Sequence, residues 1–280
     1  NYQSSVISCH LSQIGASGIC FAGDPEAVRS PSFRYEESIA IPQIARTPGS
    51  KTDNYPIECL VYDNLIHHIG LYEKQVAGVQ LSMCSSITIS HNSIYHTPRA
   101  GINISEGTWG GHVIEYNDVF DTVRETGDHG SFNSWGRDRF WRSNRTQMDS
   151  LVATEPDIIL LDAKKENTIR YNRFRCDRGW DIDLDDGSSN YHIYNNLCLG
   201  VSKALAGQEG ALKATTFGFQ FYKHPKTLKG YYKYKAGPVY TENGQPQSGL
   251  KDRFDIYAIM YEADDLHACD NLFSSLVRPS

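Results

Sequence analysis

The chain has 280 residues, 40% of them hydrophobic, and its 27 Lys and Arg against 33 Asp and Glu give a formal net charge of −6. That length supplies a core for one or two domains. The mildly acidic balance, with no basic block, argues against a nucleic-acid partner, and no stretch reaches the roughly 18–20 apolar residues of a membrane span.

The chain opens at Asn1 with neither Met nor signal peptide, so it reads as a processed or excised piece. Its seven cysteines (Cys9, Cys20, Cys59, Cys84, Cys176, Cys198, Cys269) are an odd set without a CxxC pair. They read as buried thiols rather than a disulfide framework or metal site.

An internal repeat runs through the first 200 residues. Its anchor is a small polar residue, any residue, then an apolar one. The anchors are Cys9-His10-Leu11, Asp63-Asn64-Leu65, Asn92-Ser93-Ile94, Asn117-Asp118-Val119, Asn172-Arg173-Phe174 and Asn195-Asn196-Leu197. Nine residues after an anchor comes a short alternating strand, at 18–21, 101–104 and 181–184, and at 78–81 after a longer approach. A second strand precedes the next anchor, at 87–89, 113–115 and 192–194. Short anchor intervals are 29, 25 and 23 residues, while two of 54 and 55 each fit one coil plus an insertion.

Short strands at this period, with no helices between them, predict a parallel β-helix. A coil cannot bury its own apolar side, so coils stack with strands about 4.8 Å apart. A β-sandwich with strands every 8–12 residues is the alternative. The recurring Asn favours the helix, because stacked Asn side chains form an amide ladder and tolerate the αL backbone of a sharp corner.

In each first strand the apolar pair points inward: Ile19/Phe21, Val79/Leu81, Ile102/Ile104 and Ile182/Leu184. The residue between points outward: Cys20, Gln80, Asn103 and Asp183. This outward column ends in an acidic row, Asp181, Asp183 and Asp185, with Asp186 at the turn. Three carboxylates on one face repel one another and call for a cation, an arginine or a function. A solvated acidic face is the bland alternative. Ca²⁺ is a lesser one, since the row lacks the Gly and terminal Glu of an EF-hand loop.

The coil from Asn117 to Asn172 takes its first strand from 157–162, which makes 124–156 an excursion. Inside it, GDHGSFNSWGRDRFW at 127–141 has neither helical nor strand period and reads as a loop. That placement brings Asp128, His129 and Asp138 against Asp183 and Asp185. The other insertion, 24–57, is expected to wall the same groove. Glu106 and Trp109, in the run EGTWGG, offer a further acid and an aromatic platform.

A groove of carboxylates, amides, Arg and Trp suits an oligosaccharide or polysaccharide. Trp faces stack on sugar rings, and Asp, Asn and Arg hydrogen-bond hydroxyls. Glycoside hydrolysis needs one protonated and one ionised carboxyl across the scissile bond, and crowded acids supply that asymmetry. The catalytic candidates are Asp128, then Asp138, from the loop, and Asp183, then Asp185, from the strand. The substrate-binding candidates are His129, Arg137, Trp135, Asn103, Glu106, Trp109, Gln80 and Asp181. The reading needs no cofactor and no metal, and expects a monomer.

GINISEGTWGG at 101–111, the loop 127–141 and WDIDLDDG at 180–187 resemble right-handed parallel β-helix proteins of the pectate-lyase-like superfamily. More narrowly they resemble bacterial glycoside hydrolases of the family 141 type. The resemblance implies fucosidase- or xylanase-like activity and a secreted, periplasmic or cell-surface location. Polysaccharide lyases share the fold but usually bring Ca²⁺ and a Lys or Arg base. They are the second enzymatic alternative; a non-catalytic carbohydrate-binding or surface β-helix is the other.

After Gly200 the anchors stop, which divides the chain into 1–205, a β-helix incomplete at one or both ends, and 206–280. Alternating apolar runs at 217–221, 228–234 and 254–261, broken by Pro225, Gly237-Pro238 and Asn243-Gly244, read as antiparallel strands. LKGYYKYKAGPVY at 228–240 and KDRFDIYAIMYE at 251–262 resemble the carbohydrate metabolism domain of Bacteroides-type cell-surface proteins. That resemblance implies part of a jelly-roll-like β-sandwich.

Overall fold

The computed structural model describes residues 2–29, 34–105 and 108–200, and the backbone of 203–207, 215–217, 240–242 and 245–247. The chain divides into two compact units, Asn1–Phe219 and Gln220–Ser280.

The first unit is a parallel β-helix whose coils each give one short strand to each of three sheets. The first sheet holds Ser5–Ile7, Leu60–Tyr62, Thr88–Ser90, Val113–Glu115, Asn167–Arg170, Tyr191–Tyr194 and Thr215–Phe217. The second holds His10–Ser12, Leu65–His67, Ser93–Tyr95, Asp118–Phe120, Arg173–Arg175 and Leu197–Cys198. The third holds Ile19–Ala22, Ala77–Ser82, Ala100–Ile104, Gly130–Ser134, Trp180–Leu184 and Lys203–Gly207.

Register stacks like on like. Val61, Ile89, Ile114, Ile169 and Ile193 lie one above another in the first sheet. Ile66, Ile94, Val119 and Phe174 do so in the second, and Ile19, Val79, Ile102, Phe132 and Ile182 in the third. All of them are buried in one core. Each such side chain contributes roughly 1.5–3 kcal/mol over exposure.

The corner between the first two sheets carries the expected amide ladder. Asn64, Asn92, Asn117, Asn172 and Asn196 stack, each Nδ2 donating to the next Oδ1 at 2.9 Å. Each backbone N–H donates to the same oxygen at 3.0 Å. Two details differ from expectation. In two coils the frame falls one residue later, at Asn64 and Asn196 rather than Asp63 and Asn195. The αL position belongs to the residue before the ladder. Ser8, Asp63, His91, Tyr116, Tyr171 and Asn195 have φ of 51°, 55°, 59°, 55°, 57° and 54°. An αL side chain costs roughly 1–2 kcal/mol, and the ladder's buried bonds offset it.

The coil after Asn117 departs from the sequence reading. Its third-sheet strand is Gly130–Ser134, paired to Ala100–Ile104 on one side and Trp180–Leu184 on the other. So five of the fifteen residues of the expected loop 127–141 are strand. The segment 157–162 is not a strand: Pro156–Leu161 is a 3₁₀ helix following the α-helix Arg145–Thr154. The excursion therefore leaves after the strand and runs over 135–166. Pro156 stands at the first position of that 3₁₀ helix, where its missing N–H costs nothing and its fixed φ suits the turn.

The two insertions pack on each other. Ile44 from the first meets Phe140, Trp141, Met148, Leu151, Ile158 and Leu161 from the second in a separate small core. Arg139, 1% exposed, knits them. Its Nε donates to Asp162 Oδ1 at 2.9 Å, and its Nη1 donates to Ala45 O at 2.6 Å and Thr47 O at 2.8 Å.

Parallel pairing runs on past residue 200, where the anchors stop. Lys203–Gly207 pairs with Trp180–Leu184, and Thr215–Phe217 with Tyr191–Tyr194. In the second unit Tyr240–Glu242 and Gln245–Gln247 pair antiparallel around the Asn243-Gly244 pair. The runs at 228–234 and 254–261 lie outside the described residues. Cys59, Cys84 and Cys176 are buried, Cys198 is half-buried, and Cys9 and Cys20 are exposed rather than buried as expected.

Replacing Asn117 with Ala removes one rung and orphans the buried amides of its neighbours. The Asn117→Ala chain should lose about 2–3 kcal/mol of stability, read as a lower urea midpoint. A loss below about 0.5 kcal/mol would show that the ladder is not a main constraint.

Candidate functional site

The site grows from the outward column of the third sheet. Register aligns Cys20, Gln80, Asn103, Asn133 and Asp183 on successive coils. They face out because their strand neighbours fill the core. Cys20 is exposed, while Asn103 and Asn133 are 1% exposed and Asp183 6%. The column is hydrogen-bonded along its length. Gln80 Nε2 donates to Leu81 O and Ser105 Oγ, both at 3.1 Å. Asn103 Nδ2 donates to Gln80 Oε1 at 2.9 Å, and Asn133 lies 3.2 Å from Asn103 Oδ1. At its far end the Asn133 amide meets Asp183 Oδ2 at 3.1 Å.

Two residues before the strands complete the cluster. In the register of the third sheet, Val76, Arg99 and His129 occupy equivalent places, just ahead of Ala77, Ala100 and Gly130. Arg99 is buried, which lowers its guanidinium pKa, while Asp183 and Asp185 pull it back up. Its Nε makes no hydrogen bond among the described residues. His129 is pushed down to about 4 by burial and then by Arg99, against the opposing charges of Asp128 and Asp185. Its Nδ1 lies 3.1 Å from Thr126 Oγ1. Asp128 sits at the rim, exposed, in αL conformation with φ 62°.

The cluster is thus Gln80, Asn103, Asn133, Asp183 and Asp185 with Arg99 and His129, and Asp128 at its edge. Arg99 and Asn133 were not among the sequence candidates. Their signal was present: Arg99 stands where the previous coil has the core residue Val76, and Asn133 stands in register with Asn103.

Several expected members go elsewhere. Asp181 does not share the face of Asp183. It is fully buried, accepting from Cys176 N at 2.6 Å and Gly200 N at 2.7 Å. It is the corner counterpart of Ser131, and burial raises its pKa against those N–H donors. Asp138 lines a cavity of about 20 Å³ with Ser134, Trp135, Ser188 and Tyr191, and Asp183 is not among the lining residues. The cause is the late departure of the excursion, which carries Asp138 past the end of the strand.

Trp109 is no platform: it is 1% exposed and packs on Tyr55 with ring centroids 4.1 Å apart. Glu106 lies outside the described residues. Arg137 pairs with Asp186 at 3.2 Å and lies over the rings of Tyr35, Trp135 and Trp141 at 5.6, 5.4 and 5.4 Å. That cage joins the two insertions; half-buried Trp135 is one of its walls. Among the described residues no group of three or more His, Cys, Asp or Glu is arranged to hold a metal ion.

Residues 189–276 match the family described as "Putative carbohydrate metabolism domain". No curated protein matches the chain. Among solved structures, the A-module of mannuronan C-5 epimerase AlgE4 from Azotobacter vinelandii aligns at 11% identity with a TM-score of 0.35. The alignment covers 82% of this chain and 58% of that one. The family match over the C-terminal part supports a carbohydrate-related function.

The half-buried imidazole makes a pH prediction. A depressed His pKa means that the folded state binds fewer protons than the unfolded state between about 6.5 and about 4. Stability from His129 is therefore fully present above pH 6.5 and drains away as the pH falls toward 4. An NMR titration of His129 should give a midpoint near 4; a midpoint at the ordinary value of 6.5 would mean that the ring is not enclosed as described.

Proposed function

We propose that the chain is a glycoside hydrolase acting on oligosaccharide or polysaccharide, with Asp183 as general acid and Asp185 as the second catalytic carboxyl. The observation that carries this reading is the direction of the amide column. Leu81 O can only accept, so it fixes the orientation of Gln80. Gln80 Oε1 then takes Asn103 Nδ2, and Asn103 Oδ1 takes Asn133 Nδ2. Asn133 Oδ1 is thereby turned on Asp183 Oδ2 at 3.1 Å. In that orientation two oxygens that close call for a proton between them, which Asp183 would carry as the general acid. The opposite amide orientation serves an ionised Asp183 and also accepts from Ser134 N–H at 3.2 Å, but sets the Asn133 oxygen against Asn103 Oδ1 at 3.2 Å.

Asp185 lies two residues on, in the field of Arg99 and His129. The acid would protonate the leaving oxygen, and Asp185 would serve the opposite face as base or nucleophile. Half-buried Gln80 and exposed Asp128 would hydrogen-bond sugar hydroxyls. The oligosaccharide would lie along the column, across successive coils.

A second reading rests on Arg99. A buried guanidinium with a lowered pKa, facing two carboxylates, is a candidate base for a lyase that abstracts a sugar C–H proton. Its product has an unsaturated, ultraviolet-absorbing end.

The test is release of reducing sugar from plant cell-wall glycans and aryl glycosides. The Asp183→Asn and Asp185→Asn chains should each lose about 10²–10⁴-fold in turnover while keeping the fold. Full turnover in both variants would overturn the assignment. Ultraviolet-absorbing ends would replace hydrolase with lyase, and binding without turnover in the unmodified chain would leave a carbohydrate-binding β-helix.

A further inference from the structure

Away from the groove, the outer face of the second sheet carries four histidines in contact. His10 Nε2 lies 2.7 Å from His67 Nε2, and His67 Nδ1 lies 2.7 Å from His68 Nδ1. His68 stacks on His96 with centroids 3.8 Å apart, and His96 Nδ1 lies 3.4 Å from Asp121 Oδ2. His10 is exposed, and His67 and His68 are half-buried, so solvent reaches the group. His10 and His67 are 57 residues apart and belong to adjacent strands, His10–Ser12 and Leu65–His67. The first insertion separates them in sequence; the β-helix brings them together.

Two ring nitrogens at 2.7 Å must share one proton, so a lone pair on one already points at the other. That is the arrangement a borderline divalent cation exploits. Tetrahedral Zn²⁺ with Zn–N near 2.0–2.1 Å holds two ligand nitrogens about 3.3 Å apart. Opening the pair to that span takes roughly 0.6 Å of separation and a turn of both rings, which now meet nearly end-on with centroids 4.9 Å apart, so that their lone pairs converge on the ion. The remaining ring nitrogen of His67 faces His68 Nδ1. A ligating imidazole needs such an outer partner to fix its tautomer.

We propose that His10 Nε2 and His67 Nε2 form a two-histidine site for a divalent transition metal of the zinc type, oriented by His68 and completed by water. The site would staple the first coil to the second across the insertion. It is independent of the glycan groove, so the two readings stand or fall separately.

The experiment is calorimetric titration of the full, untagged chain with ZnCl₂, with a thermal melt alongside. Saturable uptake and a raised melting midpoint are expected. Binding should fall at least tenfold in His10→Gln and in His67→Gln, and about tenfold in His68→Gln. His192→Gln, which alters a histidine paired with Glu166 on another sheet, should bind as the unmodified chain does. No saturable uptake by the folded chain, or uptake unchanged in both H10Q and H67Q, would overturn the proposal. Exposed His10 can be replaced without touching the core, so a folded variant is available to decide the matter.

Discussion

The buried asparagine at each coil's corner sets everything else in this fold. Its side chain satisfies a backbone N–H and a backbone carbonyl of the preceding coil, and bulky residues such as Tyr116 and Tyr171 sit in αL ahead of it. One rung per coil fixes the offset between neighbours. A slip of one residue would turn every inward side chain outward, and the ladder would break with it. The stacking of Gln80 on Asn103, Asn133 and Asp183 on the third sheet follows from that offset. The site is a by-product of register.

The insertions act on the site from outside the repeat. Their joint core and the Arg139–Asp162 pair hold the segment after Gly130–Ser134 in place. Removing one partner of such a buried pair typically costs about 3–5 kcal/mol, because the other charge is left without compensation. Arg137 in its aromatic cage with Asp186 fixes the turn that ends the acidic strand. Side chains that read as substrate contacts by type are thus occupied in holding the walls.

Much of this was legible in the sequence. The inward pairs Val79/Leu81, Ile102/Ile104 and Ile182/Leu184 announce the third sheet by strict alternation, and they are core. What misled was apolar density. Ile158, Ile159, Leu160 and Leu161 look more like a strand than Gly-Ser-Phe-Asn-Ser does, yet only one inward position, Phe132, had to be apolar. Spacing held the better signal, since fourteen residues separate both Asn64 from Gly78 and Asn117 from Ser131. Asp181 and Asp183 show a second limit. Simple alternation puts them on one face, but the corner rotates Asp181 inward, where it caps Cys176 and Gly200. Arg99 escaped because it lies just outside a strand, where alternation says nothing about direction.

The cluster sets one cation and one neutral imidazole among carboxylates in a half-enclosed groove, beside a column of oriented amides. Its central claim is positional: a sugar chain lies along the outward column of the third sheet. The most direct measurement is a crystal structure of the Asp183→Asn chain with a glycan that the unmodified protein cleaves or binds. The account predicts sugar hydroxyls on Gln80 and Asp128, and a glycosidic oxygen within hydrogen-bonding distance of residue 183. Sugar bound on another face, with this column bare, would contradict it.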